Sequence, residues 1–153
     1  MTAGHPLGWP TADDLHYHLT TLFPPVRPRG WLELRMIDAL PDPWWRVAAA
    51  VTSALVTEPA IADRVEAATR PVRGRWREAA RHGLAEPVLR GAAVECFGSA
   101  IETLNGDGSR DTTAAFMDRY VLRGRCPADD RLDAWMRAGR AEASPEDGAP
   151  AWT

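Results

Sequence analysis

The sequence predicts an α+β protein in which one main β-strand is followed by a mostly helical bundle. Residues 31–37 (Trp-Leu-Glu-Leu-Arg-Met-Ile) alternate as in a strand with one apolar face. After residue 42, apolar side chains recur at helical spacing, and proline or glycine separates successive segments. With 153 residues, 45% of them hydrophobic, and a net charge of −3, the chain has the size of one domain.

Composition divides the chain into three parts. Residues 1–10 are rich in glycine and proline, so we expect a loose lead-in there. Residues 11–139 carry the periodic segments and form the predicted domain. Residues 140–153 are rich in Ala, Glu, Pro, Ser and Gly, and this composition is typical of a disordered tail.

The first predicted element is a helix from about Ala12 to Leu22. Thr11 offers a hydroxyl cap with acids after it, and the proline pair that begins at Pro24 stops the helix. His16 and His18 lie two residues apart on this helix and point in different directions, which makes them a poor metal pair.

The predicted strand has two unlike faces. One face places Glu33 beside Arg35, with Trp31 on the same side. Such a pair on a strand is most often a solvated ion pair, but the proline-stiffened loop before it also carries Arg27 and Arg29. Arginines held beside a carboxylate suit phosphate or carboxylate binding, so we interpret this face as an active-site face. The other face is wholly apolar and has to be covered; it consists of Leu32, Leu34 and Met36.

The rest of the chain predicts helices. Asp42 and Pro43 are expected to cap a helix that begins with Trp44 and Trp45, which we interpret as core and rim residues. This helix is the best candidate to cover the apolar face of the strand. The later helical segments are predicted at 59–69, 72–82, 86–104, 111–122 and 127–138.

Backbone hydrogen bonding adds a constraint. The sequence offers one strand and no obvious second one, and a lone strand leaves its N–H and C=O groups unpaired. We therefore expect the strand to pair with something outside the chain, or with a second copy of it.

Several classes of protein are not indicated. The charge is mild and mixed, and no apolar run has the length of a membrane helix, so neither nucleic acid nor a membrane is an expected partner. No signal peptide is visible, and the only cysteines, Cys96 and Cys126, lack metal-ligand spacing, so we expect a cytoplasmic protein with free thiols. The arginines between 70 and 81 form a basic patch that nearby acids dilute, as on a solvated helix face; these acids are Glu58, Asp63, Glu66 and Glu78.

Two segments carry a resemblance. Residues 18–35 (His-Leu-Thr-Thr-Leu-Phe-Pro-Pro-Val-Arg-Pro-Arg-Gly-Trp-Leu-Glu-Leu-Arg) resemble the signature of glutamate–cysteine ligases, in particular the actinobacterial type that opens ergothioneine biosynthesis. Residues 119–130 resemble the C-terminal part of the same subfamily. Members of the family carry a long portion before the signature. The resemblance therefore implies the C-terminal fragment of a glutamine-synthetase-like ligase fold, with its active site on one face of an antiparallel sheet.

The resemblance also implies a reaction. Such ligases use ATP and Mg²⁺ to join the γ-carboxylate of glutamate to cysteine through an acyl-phosphate. Glu33 matches the signature carboxylate and is the implied Mg²⁺ ligand, and Arg35 matches the arginine that acts on the transferring phosphoryl group, with Arg27 as a second catalytic residue. The implied contacts to substrate or ATP come from Arg29, Trp31 and His18.

The implied partners are glutamate, cysteine, ATP and the missing N-terminal half of the ligase, or a second chain that completes the sheet. The fragment alone is expected to be inactive. The sequence is also compatible with two other functions: a non-catalytic helical interaction or regulatory module, and a carboxylate–amine ligase with another amine acceptor.

Overall fold

The computed structural model describes residues 8–106 and 108–142, and the chain divides after Asp38 into two units. The predicted lead-in therefore lies mostly outside the described residues, as does most of the predicted tail. The N-terminal unit contains one helix and two short strands: α1 (Ala12–Thr21), β1 (Val26–Pro28) and β2 (Leu32–Leu34).

Helix α1 begins where the sequence predicts and ends one residue before the predicted end. Thr11 and Asp14 form a capping box, in which the Asp14 N–H donates to Thr11 Oγ1 at 3.1 Å and the Thr11 N–H donates to Asp14 Oδ2 at 2.7 Å. The backbone hydrogen bond from Thr11 lowers the pKa of the Asp14 carboxyl, because it favours the charged form.

The prediction of a single strand was wrong. The strand covers only Leu32–Leu34, and Val26–Pro28 pairs with it in antiparallel orientation. The three prolines of residues 24–28 indicated a loop, but Pro28 occupies an edge strand, where a missing N–H costs nothing. On the apolar face of the strand, Leu34 is half-buried, and Leu32 and Met36 are more than half exposed.

The C-terminal unit is helical. Helices α3 and α5 lie within one residue of the predicted bounds, and α7 runs four residues past its predicted end, into the stretch expected to be a disordered tail. The segment predicted at 72–82 is helical only from Trp76, because Pro71 and the positive φ of Gly74 interrupt it. The helices are α2 (Trp44–Thr57), α3 (Pro59–Thr69), α4 (Trp76–His82), α5 (Pro87–Thr103), α6 (Ser109–Phe116) and α7 (Pro127–Glu142), with short 3₁₀ turns at Arg70–Val72 and Gly83–Ala85.

The core of this unit forms where α2 meets α5 and α6. Val47, Val51 and Ala54 of α2 are buried together with Ala100 of α5. Trp44 closes this core as predicted, with its ring 5.5 Å from that of Phe116 in an edge-to-face arrangement. Asp42, by contrast, does not cap α2. Its carboxylate instead accepts a hydrogen bond from the exposed Trp45 indole at 3.1 Å.

A π-helical turn, Met117–Val121, follows α6 where the sequence predicts continuous helix. Its Tyr120 is buried, and the phenol donates to Asp130 of α7 at 2.9 Å. Arg119 donates to the same carboxylate at 2.8 Å, and Arg125 joins from the connecting turn at 3.4 Å. The hydrogen bond from Arg119, the strongest influence on the Asp130 carboxyl, lowers its pKa. These contacts attach α7 to the π-helical turn.

Three further expectations, on the basic patch, the cysteines and membrane helices, can be compared with the structure. The arginines at 70, 73 and 75 pair with Glu66, Glu78 or Glu86, as expected of an ordinary charged helix surface. Desolvation raises the pKa of the half-buried Cys96 thiol, which disfavours the reactive thiolate. None of the helices in the described part of the chain has the length and hydropathy of a membrane-spanning segment.

Truncation of Val47 tests the core. Val47 is 2% exposed, so Val47→Ala leaves a cavity and is expected to lower the free energy of unfolding by about 2 kcal/mol. Val56→Ala is the matched control, because Val56 lies on the same helix but is 61% exposed; its effect is expected to stay within about 0.5 kcal/mol. Equal effects in chemical denaturation would contradict the assignment of the core.

The hydrogen bonds that Asp130 accepts from Arg119, Tyr120 and Arg125 predict that the stability of the chain depends on pH. Because the folded-state pKa of Asp130 is lowered, its stabilising contribution is present above the unfolded value of 3.8 and is lost as the pH falls through the lower folded value. Asp130→Asn is expected to lower stability at neutral pH and to flatten this acid limb in pH-dependent unfolding. Asp118→Asn, at an exposed position of the π-helical turn Met117–Val121, is the control and is expected to keep the wild-type stability at neutral pH.

Candidate active site on the N-terminal hairpin

Strands β1 and β2 bring the charged residues of the signature segment together. Arg27 lies directly opposite Glu33 in the ladder. Beyond the strands the ladder continues, with the Arg35 N–H donating to the Pro25 carbonyl at 2.9 Å and the Arg29 N–H donating to the Trp31 carbonyl at 2.8 Å. Since alternate residues share a face, Arg27, Glu33 and Arg35 project from the same side of the hairpin.

The turn between the strands depends on Gly30. Its φ of +81° lies in the left-handed region, where a side chain is strained and glycine is not. Residues 29–31 therefore reverse the chain tightly enough to place Pro28 opposite Leu32. This register, and not only the sequence spacing, puts Arg27 opposite Glu33.

Glu33 lies between two guanidinium groups. Arg27 Nη1 donates to Glu33 Oε2 at 3.4 Å, and Arg35 Nε lies 3.8 Å from Oε1. The other terminal nitrogen of Arg27 donates to the carbonyl of Leu22 at 3.4 Å, which connects the hairpin to the end of α1. We call Arg27, Glu33 and Arg35 the charged triad; it carries a net charge of +1.

Arg35 has unused binding capacity. Its guanidinium carbon lies 4.7 Å from the centre of the Phe23 ring, within range of a cation–π interaction. Its Nη1 atom is buried and has no hydrogen-bond partner among the described residues. A buried N–H without a partner is costly, so an oxyanion at this position would satisfy it.

Burial in the N-terminal unit is the reverse of the usual pattern. The side chains of Arg27 and Arg35 keep only 22% and 24% of their exposure, whereas Phe23 and Trp31 are 75% and 70% exposed. Charged groups are normally the exposed ones and large apolar groups the buried ones. Partly buried guanidinium groups beside exposed aromatic rings make this side of the hairpin a candidate binding site.

The other predicted site residues lie apart from the triad. Arg29 and Trp31 flank Gly30 in the turn and are both exposed. His18 is exposed in the last turn of α1, and no hydrogen bond or ion pair joins its side chain to the triad within the described residues. Phe23, which contacts Arg35, was not predicted as a site residue. The signal in the sequence that could have indicated it is its position directly before Pro24, beside the loop that carries the arginines.

The fit of a divalent cation can be tested on Glu33. Its carboxylate supplies hard oxygen ligands and is 39% exposed, so it can serve as one Mg²⁺ ligand. The described residues contain no group of three or more His, Cys, Asp or Glu that could hold a metal. The remaining ligands would therefore have to come from nucleotide phosphates, water or another part of an enzyme.

Comparisons with known proteins identify relatives of the chain. A family model described as glutamate-cysteine ligase family 2 matches residues 5–147. A glutamate–cysteine ligase, EgtA, from Mycolicibacterium smegmatis is 43% identical over 134 residues, which are 88% of this chain and 31% of that relative. The EgtA of Mycobacterium tuberculosis is 42% identical over 136 residues, 87% of this chain and 30% of the relative. The chain thus spans about a third of these relatives. No solved structure matches it significantly.

The variant Gly30→Ala tests whether the turn at Gly30 fixes the register of the hairpin. Gly30→Ala forces a side chain into the left-handed region and is expected to cost about 1 kcal/mol in hairpin stability. The Arg35 amide, which closes the ladder, should then exchange with solvent about fivefold faster by NMR. Gly91→Ala is the control, because Gly91 is in open space within α5 and has no positive φ. An unchanged Arg35 rate would contradict the turn.

Proposed function

Because the chain belongs to glutamate–cysteine ligase family 2, we propose that it takes part in the ATP-dependent ligation of glutamate to cysteine. The observation that carries this proposal is the charged triad, with an unsatisfied Arg35 nitrogen, on the hairpin that bears the ligase-like signature. Since the relatives are about three times as long, the proposal concerns a complete enzyme of which this chain supplies one part.

The proposed reaction has two steps. The γ-carboxylate of glutamate takes the terminal phosphoryl group of ATP, and ADP leaves. The amine of cysteine then attacks the acyl carbon, forms the amide bond and expels phosphate. In both steps negative charge on the phosphoryl oxygens must be balanced by fixed positive groups, because little covalent chemistry is left for the protein to do.

Arg35 is the proposed catalytic residue. Its guanidinium is oriented by Glu33 on one side and by the Phe23 ring on the other, and its Nη1 is left to bind an oxygen of the phosphoryl group. Arg27 is the second proposed catalytic residue, since Glu33 and the Leu22 carbonyl hold it on the same face. Two positive charges against one carboxylate leave the positive balance that an anionic substrate requires.

Glu33 is the proposed Mg²⁺ ligand. When bound, Mg²⁺ neutralises triphosphate charge and orients the transferring group. Glu33 would supply one carboxylate to the Mg²⁺ ion, and the same carboxylate would continue to orient Arg27 and Arg35.

The exposed residues of the turn and of α1 are proposed to contact substrate or nucleotide. Arg29 would pair with a carboxylate or phosphate, Trp31 would form a wall of the pocket, and His18 would lie at its margin. Membership of the ergothioneine pathway and a cytoplasmic location are part of the same proposal.

The decisive variant is Arg35→Ala in a complete enzyme, made by replacing the matching segment of the M. smegmatis relative with this chain. Loss of a group that stabilises transition-state charge is expected to lower kcat by about 10²- to 10³-fold. The measurement is ADP release that depends on both glutamate and cysteine. Arg35→Lys keeps the charge but loses the planar guanidinium group. Its kcat is therefore expected to lie between those of the wild type and Arg35→Ala.

Arg77→Ala is the control variant, because Arg77 is exposed on α4 and makes no ion pair within the described residues. It is expected to keep wild-type kcat. Near-normal turnover of Arg35→Ala would remove Arg35 from the mechanism. An inactive chimera with the wild-type segment, beside an active unmodified relative, would count against the whole proposal. Turnover with amines other than cysteine would favour a different acceptor.

A further inference from the structure

The connection between α5 and α6 contains an asparagine followed by a glycine. Helix α5 ends at Thr103 and α6 begins at Ser109. Asn105 and Gly106 lie between these helices, and both are exposed. Asn105 is the one asparagine in the sequence, which contains no glutamine. Any reaction of a side-chain carboxamide in this chain is therefore a reaction of Asn105.

Gly106 leaves the backbone beside this carboxamide open. Glycine has no Cβ, and a Cβ at Gly106 would meet no atom within 4 Å. The φ of +79° lies in the left-handed region, which glycine adopts without strain. Among the described residues, no hydrogen bond engages the Gly106 N–H. The Gly106 nitrogen is therefore neither shielded by a side chain nor held by an acceptor.

The Asn105 side chain lies against its own backbone. Its Nδ2 donates to the Thr103 carbonyl at 3.1 Å, which satisfies one of the carbonyls left free at the end of α5. A bond between Asn105 Cγ and the Gly106 nitrogen would close a five-membered ring. Reacting groups that the same short stretch of chain holds together react far faster than separate molecules do.

We propose that Asn105 is a site of spontaneous chemical modification, in which the backbone nitrogen of Gly106 displaces the side-chain amide. The Gly106 nitrogen gives up its proton and bonds to Asn105 Cγ. The bond from Cγ to Nδ2 breaks, and Nδ2 leaves with that proton as ammonia. Water then opens the cyclic imide at either of its two carbonyl carbons. The products are aspartate and isoaspartate, in which the main chain continues through the side-chain carbonyl. The inference does not depend on the proposed function.

The modification alters the end of α5. A carboxylate at position 105 has no N–H, so it loses the hydrogen bond to the Thr103 carbonyl. It also places a negative charge near the C-terminus of a helix, where the helix dipole disfavours it. Isoaspartate in addition lengthens the main chain between α5 and α6. One sequence therefore gives a fresh and an aged form of the chain that differ in charge.

Peptide mass spectrometry of the chain, incubated at mildly alkaline pH, tests the reaction. The peptide that contains Asn105 is expected to gain the mass difference between NH₂ and OH, with isoaspartate placed at residue 105 by fragmentation. Asn105→Gln keeps a carboxamide beside Gly106 but needs a six-membered ring, so its reaction is expected to be at least about tenfold slower. Gly106→Ala is expected to slow the reaction by at least about tenfold as well, because the methyl group shields the nitrogen.

The same incubation in guanidinium chloride measures whether folding leaves the site open. Because Asn105 and Gly106 are exposed, the folded chain is expected to react within about tenfold of the unfolded rate. A larger protection, or no gain in mass, would overturn the proposal. So would aspartate without isoaspartate at position 105, which indicates direct hydrolysis, or an Asn105→Gln variant that reacts at the wild-type rate.

Asn105→Asp reproduces one product and tests its effect on α5. The Leu104 N–H donates to the Ala100 carbonyl at 3.1 Å in the last turn of that helix. In Asn105→Asp the Leu104 amide is expected to exchange with solvent about two- to fivefold faster, because the last turn loses its cap and gains a repelling charge. The amide of Val51, in the core of α2, is the control and is expected to keep its rate. An unchanged Leu104 rate would overturn the effect proposed for the modification.

Discussion

The ion network across the Arg27–Glu33 rung is the interaction on which the candidate site depends. One carboxylate orients two guanidinium groups without neutralising them, so the face is ordered and still positive. Arginine side chains lose about 2 kcal/mol of rotamer entropy when they are fixed. Because Glu33 and the Phe23 ring already restrict Arg35, much of this cost is met before an anion arrives.

This network lies in a unit that has no buried apolar residue among its described positions. Hydrophobic burial is the main favourable term in folding, and a hairpin with a single helix buries too little surface to be independently stable. The C-terminal unit differs, because Val47, Val51 and Ala100 give it a core of its own. The hydrophobic core and the candidate site are therefore located in different parts of the chain.

The sequence predicted most of what depends on local periodicity. The cap of α1 follows from the Thr11 hydroxyl and the acids after it. The bounds of α3 and α5 follow from a proline at the start and a repeat of 3.6 residues, and the shared face of Glu33 and Arg35 follows from the two-residue repeat of a strand. The pairing of β1 with β2 does not, because it is fixed by the turn at Gly30, and the prolines obscured a strand of three residues. The π-helical turn was missed for a similar reason, since it depends on where Tyr120 meets α7.

The absence of a core in the N-terminal unit has a consequence for the charged triad. Among its described positions this unit has ladder hydrogen bonds, ion pairs and one cation–π contact, but no buried apolar residue. The geometry of Arg27, Glu33 and Arg35 therefore depends on polar interactions that are individually weak, because ion pairs in contact with solvent contribute little to stability. Opening of the hairpin is thus expected to require less free energy than opening of the helical core, which has buried residues of its own.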